Sequence, residues 1–346
     1  MSKGKLFCFV SLLLLLLASC IKRYDPNITN LDAVKYVVTG GVYKGMPTQI
    51  VTITQTTPIA TPKFEPVDGC VVTIIEGNGN TYLANCFWNG KYEAIIPENE
   101  LVPGNKFKVD ILVNGGTHIV SDFDQIQDCP EVDSVYYLRK DIPTSNPHFP
   151  TKGIQFYADF NSEGLPCRNY RFEAVETWEY TANFAPPFLR TCWVTSPVRS
   201  VFTLTTTDQT QNIYKLYPLY FVDNYSSQRL RYMYSMLFSQ YSLSDAAYTY
   251  WEKMRLNFSD QGGLYENQPE QIEGNLHNLS DPTQKVLGFF SASTRKSKRI
   301  FVSHVPGLLI EYYDCPPVVW PEILNPECED CMAKVGGTNI KPSFWP

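Results

Sequence analysis

The chain has 346 residues and a formal net charge of −6 at pH 7. Read as a negative chain with no basic run, it is a poor candidate for nucleic acid, whose binding rests on cations set against phosphate. Its length suggests two domains, the 44% hydrophobic content can fill both cores, and 14% aromatic residues beside few helix-forming runs lean towards β structure.

The first residues have the parts of a secretory signal: Lys3 and Lys5, an apolar run from Leu6 to Leu17, then small Ala18 and Ser19. The run is too short for a membrane span of about 20 residues. Leu17-Ala18-Ser19-Cys20 has the form that lipoprotein signal peptidase requires. Residues 1–19 are therefore expected to be a lipoprotein signal peptide, with Cys20 the lipidated first residue of the mature chain. Loss of Lys3 and Lys5 takes the charge down by two, to −8. Each buried lipid methylene contributes about 0.8 kcal/mol, so two or three acyl chains make a stable anchor. Residues 20–32 read as a polar, lipidated tether, and the membrane is the first expected partner.

Residues 33–130 predict a β-sandwich. Its strands are Tyr36–Val42, Gln49–Thr54, Val71–Glu76, Thr81–Phe87, Lys91–Ile95, Phe107–Val113 and His118–Ser121, short and separated by turn residues. Lys106 to Ile111 alternates charged and apolar residues, so one face is wet and the other is core. Gly77-Asn78-Gly79-Asn80 is a hairpin turn, not a nucleotide loop, because no helix pattern follows it. The stretch from Gly90 to Phe107 resembles the regulatory-like sandwich modules appended to some carboxypeptidases, which implies a fold and not an activity.

Cys129 to Ser134 reads as the junction, and residues 131–346 as a second β-rich domain with a Cys-rich tail. Its strand candidates are Ile154–Phe160, Tyr170–Tyr180, Thr191–Thr195, Arg199–Thr205, Tyr214–Val222, Arg229–Tyr241, Val286–Ser293 and Arg299–Val302. One helix is inserted: Ser242 can cap it, Asp245 suits its start, and Ala247, Trp251, Met254 and Phe258 recur on one face. The fold class is thus mainly β, two Ig-like or fibronectin-like sandwiches with one inserted helix in the second.

The sequence has ten cysteines. Cys8 leaves with the signal and Cys20 takes lipid, and the remaining eight could pair in about a hundred ways. Centring the hairpin on Asn78 sets Cys70 opposite Cys86, close to the separation a disulfide closes. Cys167, Cys192, Cys315, Cys328 and Cys331 are the other disulfide candidates. Cys328-Glu329-Asp330-Cys331 is read as part of a staple that pins the tail. Zinc, with Cys315 and His304 as further ligands, or a redox pair are the alternatives. The tail ends in Phe344 and Trp345, which either dock on their own domain or insert into a partner.

The segments Tyr234 to Ser244, Ala247 to Trp251, Gln268-Pro269, Ile272 to Asn275 and Val286 to Ser293 carry a family resemblance, as do Cys328 to Cys331 and Gly336 to Trp345. Over nearly the whole mature chain they resemble the Bacteroidota lipoproteins grouped as domain of unknown function 4249. Members are often encoded beside TonB-dependent outer-membrane transporters, which implies an accessory role in the cell envelope. The resemblance supplies no catalytic residues. An acidic cluster after the lipidated cysteine often marks surface export in such lipoproteins. Here Lys22-Arg23 and a single Asp25 follow, so the periplasmic and surface faces of the outer membrane both stay open.

His118, His148, His277 and His304 show no metal spacing with one another, and no His-Glu-x-x-His, Gly-x-Ser-x-Gly or Walker-type motif occurs. No enzyme, metal or cofactor is expected. The reading is a non-enzymatic, lipid-anchored envelope protein that binds a TonB-dependent transporter. A glycan- or nutrient-binding surface lipoprotein, or an adhesin-like subunit, is the alternative.

Overall fold

The computed structural model describes residues 34–58, 61–146, 148–259, 272–310, 315 and 325–346. The expected signal peptide, Cys20 and the tether lie outside the described residues.

The protein is mainly β. The first part of the chain forms β1 (Tyr36–Lys44), β2 (Gln49–Gln55), β3 (Val71–Glu76), β4 (Thr81–Trp88), β5 (Lys91–Ala94), β6 (Lys106–Leu112), β7 (His118–Ser121) and β8 (Asp124–Gln125). After the junction come β9 (Ser134–Ile142), β10 (Thr151–Asn161), β11 (Asn169–Thr181), β12 (Thr191–Pro197), β13 (Phe202–Thr205) and β14 (Ile213–Asp223). Then follow β15 (Tyr234–Leu243), the helix α1 (Asp245–Ser259), β16 (Leu276–Asn278), β17 (Leu287–Val302) and β18 (Gly337–Thr338).

Two cores organise these strands. Alternate residues of β1, β2 and β5 meet those of β3, β6 and β7 in the first, with Val38, Ile53, Tyr92, Ile74, Phe107 and Ile111 fully buried. β4 joins the two sides: it pairs with β3 from Thr81 to Ala84 and with β5 from Asn85 to Trp88. The second core lies between the sheet β14-β10-β9 and the ladder β17-β15-β11-β12. Aromatic rings fill it: Phe172 stands 5.3 Å from Phe238 and 5.0 Å from Tyr217, centre to centre.

A single strand serves both cores. The segments Val286–Ser293 and Arg299–Val302, expected as two strands, are one run of 16 residues, β17. Its first half lies parallel to β1, Val37 opposite Leu287 through Lys44 opposite Thr294. Its second half lies antiparallel to β15, Tyr241 opposite Arg295 through Tyr234 opposite Val302. Leu276, Val286, Phe290 and Ala292 complete the first core, and β16 pairs with β7. The first core therefore draws on residues far beyond 130, where the sequence had placed the domain's end. Gly288 permits the parallel contact: its φ is +105°, and a Cβ there would stand 1.9 Å from the Val38 carbonyl oxygen.

Three boundaries shift for local reasons. The strand expected over Arg229–Tyr241 begins at Tyr234, because Arg229 turns inward to meet Glu176. The strand expected from Arg199 begins at Phe202, after a loop that leaves the sheet. The helix is capped by Ser244, whose Oγ accepts from the Ala247 N–H at 3.2 Å. Ser242 lies in β15 instead, its Oγ donating to the Gln127 carbonyl at 2.8 Å.

Candidate functional site

Strand alternation puts Phe172, Ala174, Met236 and Phe238 into the second core and turns Arg171, Glu173, Leu237, Ser239 and Tyr241 to the opposite face. α1 covers one end of that face. Ala247 is fully buried there, and Tyr241, Phe289, Tyr250 and Trp251 pack around it. The helix residues singled out from sequence thus include a face packed on the sheet, while the Phe258 side chain lies outside the described residues.

Arg171 is the centre of this cluster. Its guanidinium carbon lies 4.1 Å from the centre of the Trp251 ring and 4.7 Å from that of Tyr241. Nη1 meets Glu173 Oε1 at 2.7 Å, and the Tyr241 hydroxyl donates to Oε2 at 2.7 Å. Burial, then the Glu173 charge, pushes the Tyr241 phenol well above its ordinary value, so it stays a donor. The guanidinium is held in a nearly dry place between ring faces and one carboxylate. Two buried donors are left without a protein partner, Arg171 Nε and Trp251 Nε1.

A break in the sheet opens beside Arg171. β13 pairs with β11 from Asn169 to Phe172, and β12 pairs with it from Val175 to Thr181. Glu173 and Ala174 fall in the interval, and the loop between β12 and β13 bulges out, with the Val198 N–H donating to the Ala174 carbonyl at 2.9 Å. The result is a notch of about 300 Å³ lined by Arg171–Val175 and Pro197–Val201. Its walls are apolar at Val175, Pro197, Val198 and Val201, and polar at Arg171, Glu173, Arg199 and Ser200. Arg171 thus lines the notch and, through its unpartnered Nε, offers a donor suited to a carbonyl, a hydroxyl or a carboxylate.

Two more arginines share this face. Arg295 donates to Ser239 Oγ through Nε at 3.3 Å and Nη2 at 2.9 Å. Arg299 donates to Ser235 Oγ at 2.9 Å, its guanidinium carbon 3.5 Å from the centre of the Phe344 ring. Against the expectation of no basic run, Arg295-Lys296-Ser297-Lys298-Arg299 is one. Alternation divides it. The arginines take the outer face, while Lys296 pairs with Glu131 and Lys298 donates to the Val132 and Asp133 carbonyls. A count of charge over a five-residue window would have found the run; only the strand period reveals the division.

The tail cysteines are bonded to different partners. Cys192 pairs with Cys331 and Cys315 with Cys328. Cys167, a disulfide candidate from sequence, is a buried free thiol that donates to the Asn169 carbonyl at 3.2 Å. Cys70 and Cys86, also expected as a pair, are free. Among the described residues no three His, Cys, Asp or Glu side chains stand where they could hold a metal ion. His118 and His277 each meet one carboxylate, Asp110 and Asp122, both at 3.0 Å. Trp345 is buried against Phe301 of the same chain, with ring centres 5.7 Å apart, whereas Phe344 is 40% exposed. Of the two placements open to the tail, the Trp345 indole takes the one on its own sheet.

Together these features define a mainly β protein with an arginine- and aromatic-lined face between a helix and a docked tail. The chain belongs to the family described as Domain of unknown function (DUF4249), whose model matches residues 21–299. No curated protein matches the chain. Among solved structures, trypsin-activated alpha-2-macroglobulin from Escherichia coli is 11% identical, with a TM-score of 0.22. That comparison covers 62% of this chain and 15% of the other, and its score is too low to indicate a shared fold.

Proposed function

We propose that the protein is a non-enzymatic, lipid-anchored protein of the cell envelope that acts as an accessory to a TonB-dependent outer-membrane transporter. The observation that carries this reading is the leucine run closed by Leu17-Ala18-Ser19-Cys20. Lipid on Cys20 would hold the protein at a membrane surface by its N-terminus. Among the described residues no helix is long and apolar enough to cross a membrane. The two halves are read as Ig-like or fibronectin-like sandwiches welded through β17, a rigid body for presenting a binding face. The test is mild crosslinking in intact cells, solubilisation of the membranes and identification of what is recovered with the protein. A transporter is the expected companion. Repeated recovery of the protein alone overturns the reading, as does an unmodified Cys20 by mass spectrometry.

The notch beside Arg171 favours a second reading, capture of the transported nutrient. A stabilising shift in thermal melting with a sugar or a small carboxylate, lost on Arg199→Ala, would support it. No shift across both classes would remove it.

A further inference from the structure

Two free thiols, Cys70 and Cys86, flank the hairpin of β3 and β4. β3 and β4 pair with Val72 opposite Ala84 and Thr73 opposite Leu83. Two more residues in the same register, past Val71 and Asn85, would bring Cys70 opposite Cys86. The ladder ends before that point, because β4 leaves β3 there and Cys86 pairs with Tyr92 of β5. The Tyr92 side chain fills the fork. Its hydroxyl accepts from the Cys70 N–H at 3.0 Å, donates to the Val67 carbonyl at 2.8 Å, and lies against both thiols. Asp68 closes the other side: its Oδ1 accepts from the Gly90 N–H at 2.6 Å and from the Cys86 thiol at 3.4 Å.

We propose that Cys70 and Cys86 form a third disulfide, which closes the first core where β4 crosses from one side to the other. The hairpin register and the shared tyrosine hydroxyl place the two thiols at one site, and closure requires the end of β3 and the crossing of β4 to approach each other. The oxidant is a disulfide donor. The exposed Cys86 thiolate attacks a donor sulfur and releases one donor thiolate; Cys70 loses its proton and attacks the Cys86 sulfur of the mixed disulfide, releasing the second. Two protein thiols are oxidised and one donor disulfide is reduced to two thiols. Burial pushes the Cys70 thiol up, and burial followed by Asp68 does the same to Cys86. Neither is a ready thiolate, which fits a crosslink made once and not a recycling redox pair.

The test uses the full-length chain equilibrated with reduced and oxidised glutathione. Remaining thiols are blocked in denaturant at acidic pH, and the peptides are mapped without reduction. The expected product is the Cys70 peptide joined to the Cys86 peptide. Cys70→Ser should leave Cys86 as a glutathione adduct, because the resolving thiol is gone. Recovery of both cysteines in the unsubstituted chain as blocked thiols, as separate glutathione adducts or in other pairings overturns the proposal.

Discussion

The Arg229 guanidinium holds the Glu176 carboxylate inside the second core: Nη1 stands 3.2 and 3.0 Å from the two oxygens, and only 13% and 8% of the two side chains reach solvent. The same Nη1 donates to the Tyr220 hydroxyl at 3.0 Å, and the Tyr234 hydroxyl donates to Glu176 Oε2 at 3.0 Å. Burial is the largest influence and opposes the charge on Arg229, but Glu176, Tyr220 and Tyr234 together outweigh it and raise the guanidinium pKa. The loop between β14 and β15 is thereby pinned to β11. Glu176→Ala leaves the buried cation with only the more distant Asp223 carboxylate, 3.7 Å away, and should destabilise the fold by about 3 kcal/mol. The double change Glu176→Leu with Arg229→Met should lose less than that single change, because no charge is stranded. Urea unfolding of the variants checks this, and a double variant as weak as the sum of the singles would refute it.

That contact also shows what the sequence could and could not reveal. Short strands such as Val71–Glu76 and His118–Ser121 are legible because turn residues bound them and one face is apolar. Arg229–Met233 runs into the strand that follows with no Gly, Pro, Asn or Asp to mark a break. Only the long-range pull of Glu176, 53 positions away in sequence, bends it into a loop. The double duty of β17 is hidden for a similar reason. Its halves differ in polarity, since Leu287 to Ser293 is wrapped by the first core while Arg295 to Arg299 borders solvent and the junction. The notch beside Arg171 has no local signature at all: it arises because β12 and β13 pair with separate parts of β11. Cys20 is legible from the leucine run and the tether from its polar residues, and both lie outside the described residues.

Asp124 should give the protein an unusual response to acid. It is 5% exposed, and its Oδ2 accepts from the Ala292 N–H on β17 at 2.8 Å. Burial raises its pKa, against hydrogen bonds from Ser244, Ala292 and Gln125 that lower it. A carboxyl group with a folded pKa above its unfolded value binds its proton more tightly when folded. Its contribution is full below the unfolded value and is lost as pH rises through the folded one. Asp124→Asn keeps an acceptor oxygen for Ala292 but cannot ionise. The wild type should therefore gain on this variant as pH falls from neutral towards the ordinary carboxylate range. Denaturant unfolding of both proteins across that range measures the gap, and a gap that is flat or moves the other way defeats the argument.

Cys129 sits at the junction, where the Gln240 side chain donates to its sulfur at 3.3 Å. Burial pushes its thiol from 9.0 up to about 12. At mildly alkaline pH that lowers the thiolate population on the order of a thousandfold, and the thiolate is the species alkylating reagents attack. Cys167 is buried as well, with its thiol also raised. Iodoacetamide at pH 8 should therefore spare both cysteines in the native protein and modify both after denaturation. Rapid native labelling of Cys129 would show that the junction opens and that the two cores separate readily.

The C-terminal aromatics should act on stability before anything else. Trp345 is 8% exposed and edge-on to Phe301, so it seals the outer face of β17 near Arg299. Phe344 lies over that arginine and stays 40% exposed. Trp345→Ala removes a buried indole and should cost about 3 kcal/mol. Phe344→Ala gives up a half-exposed cation–π contact and should cost about 0.5–1 kcal/mol. Deleting Phe344 to Pro346 should lower the melting temperature of the isolated protein at least as much as Trp345→Ala does. Thermal melting and crosslinked recovery from membranes, run on the same variants, separate the roles of the tail. If melting is unchanged while a partner is lost, the tail belongs to an interface and its docked position does not hold the fold together.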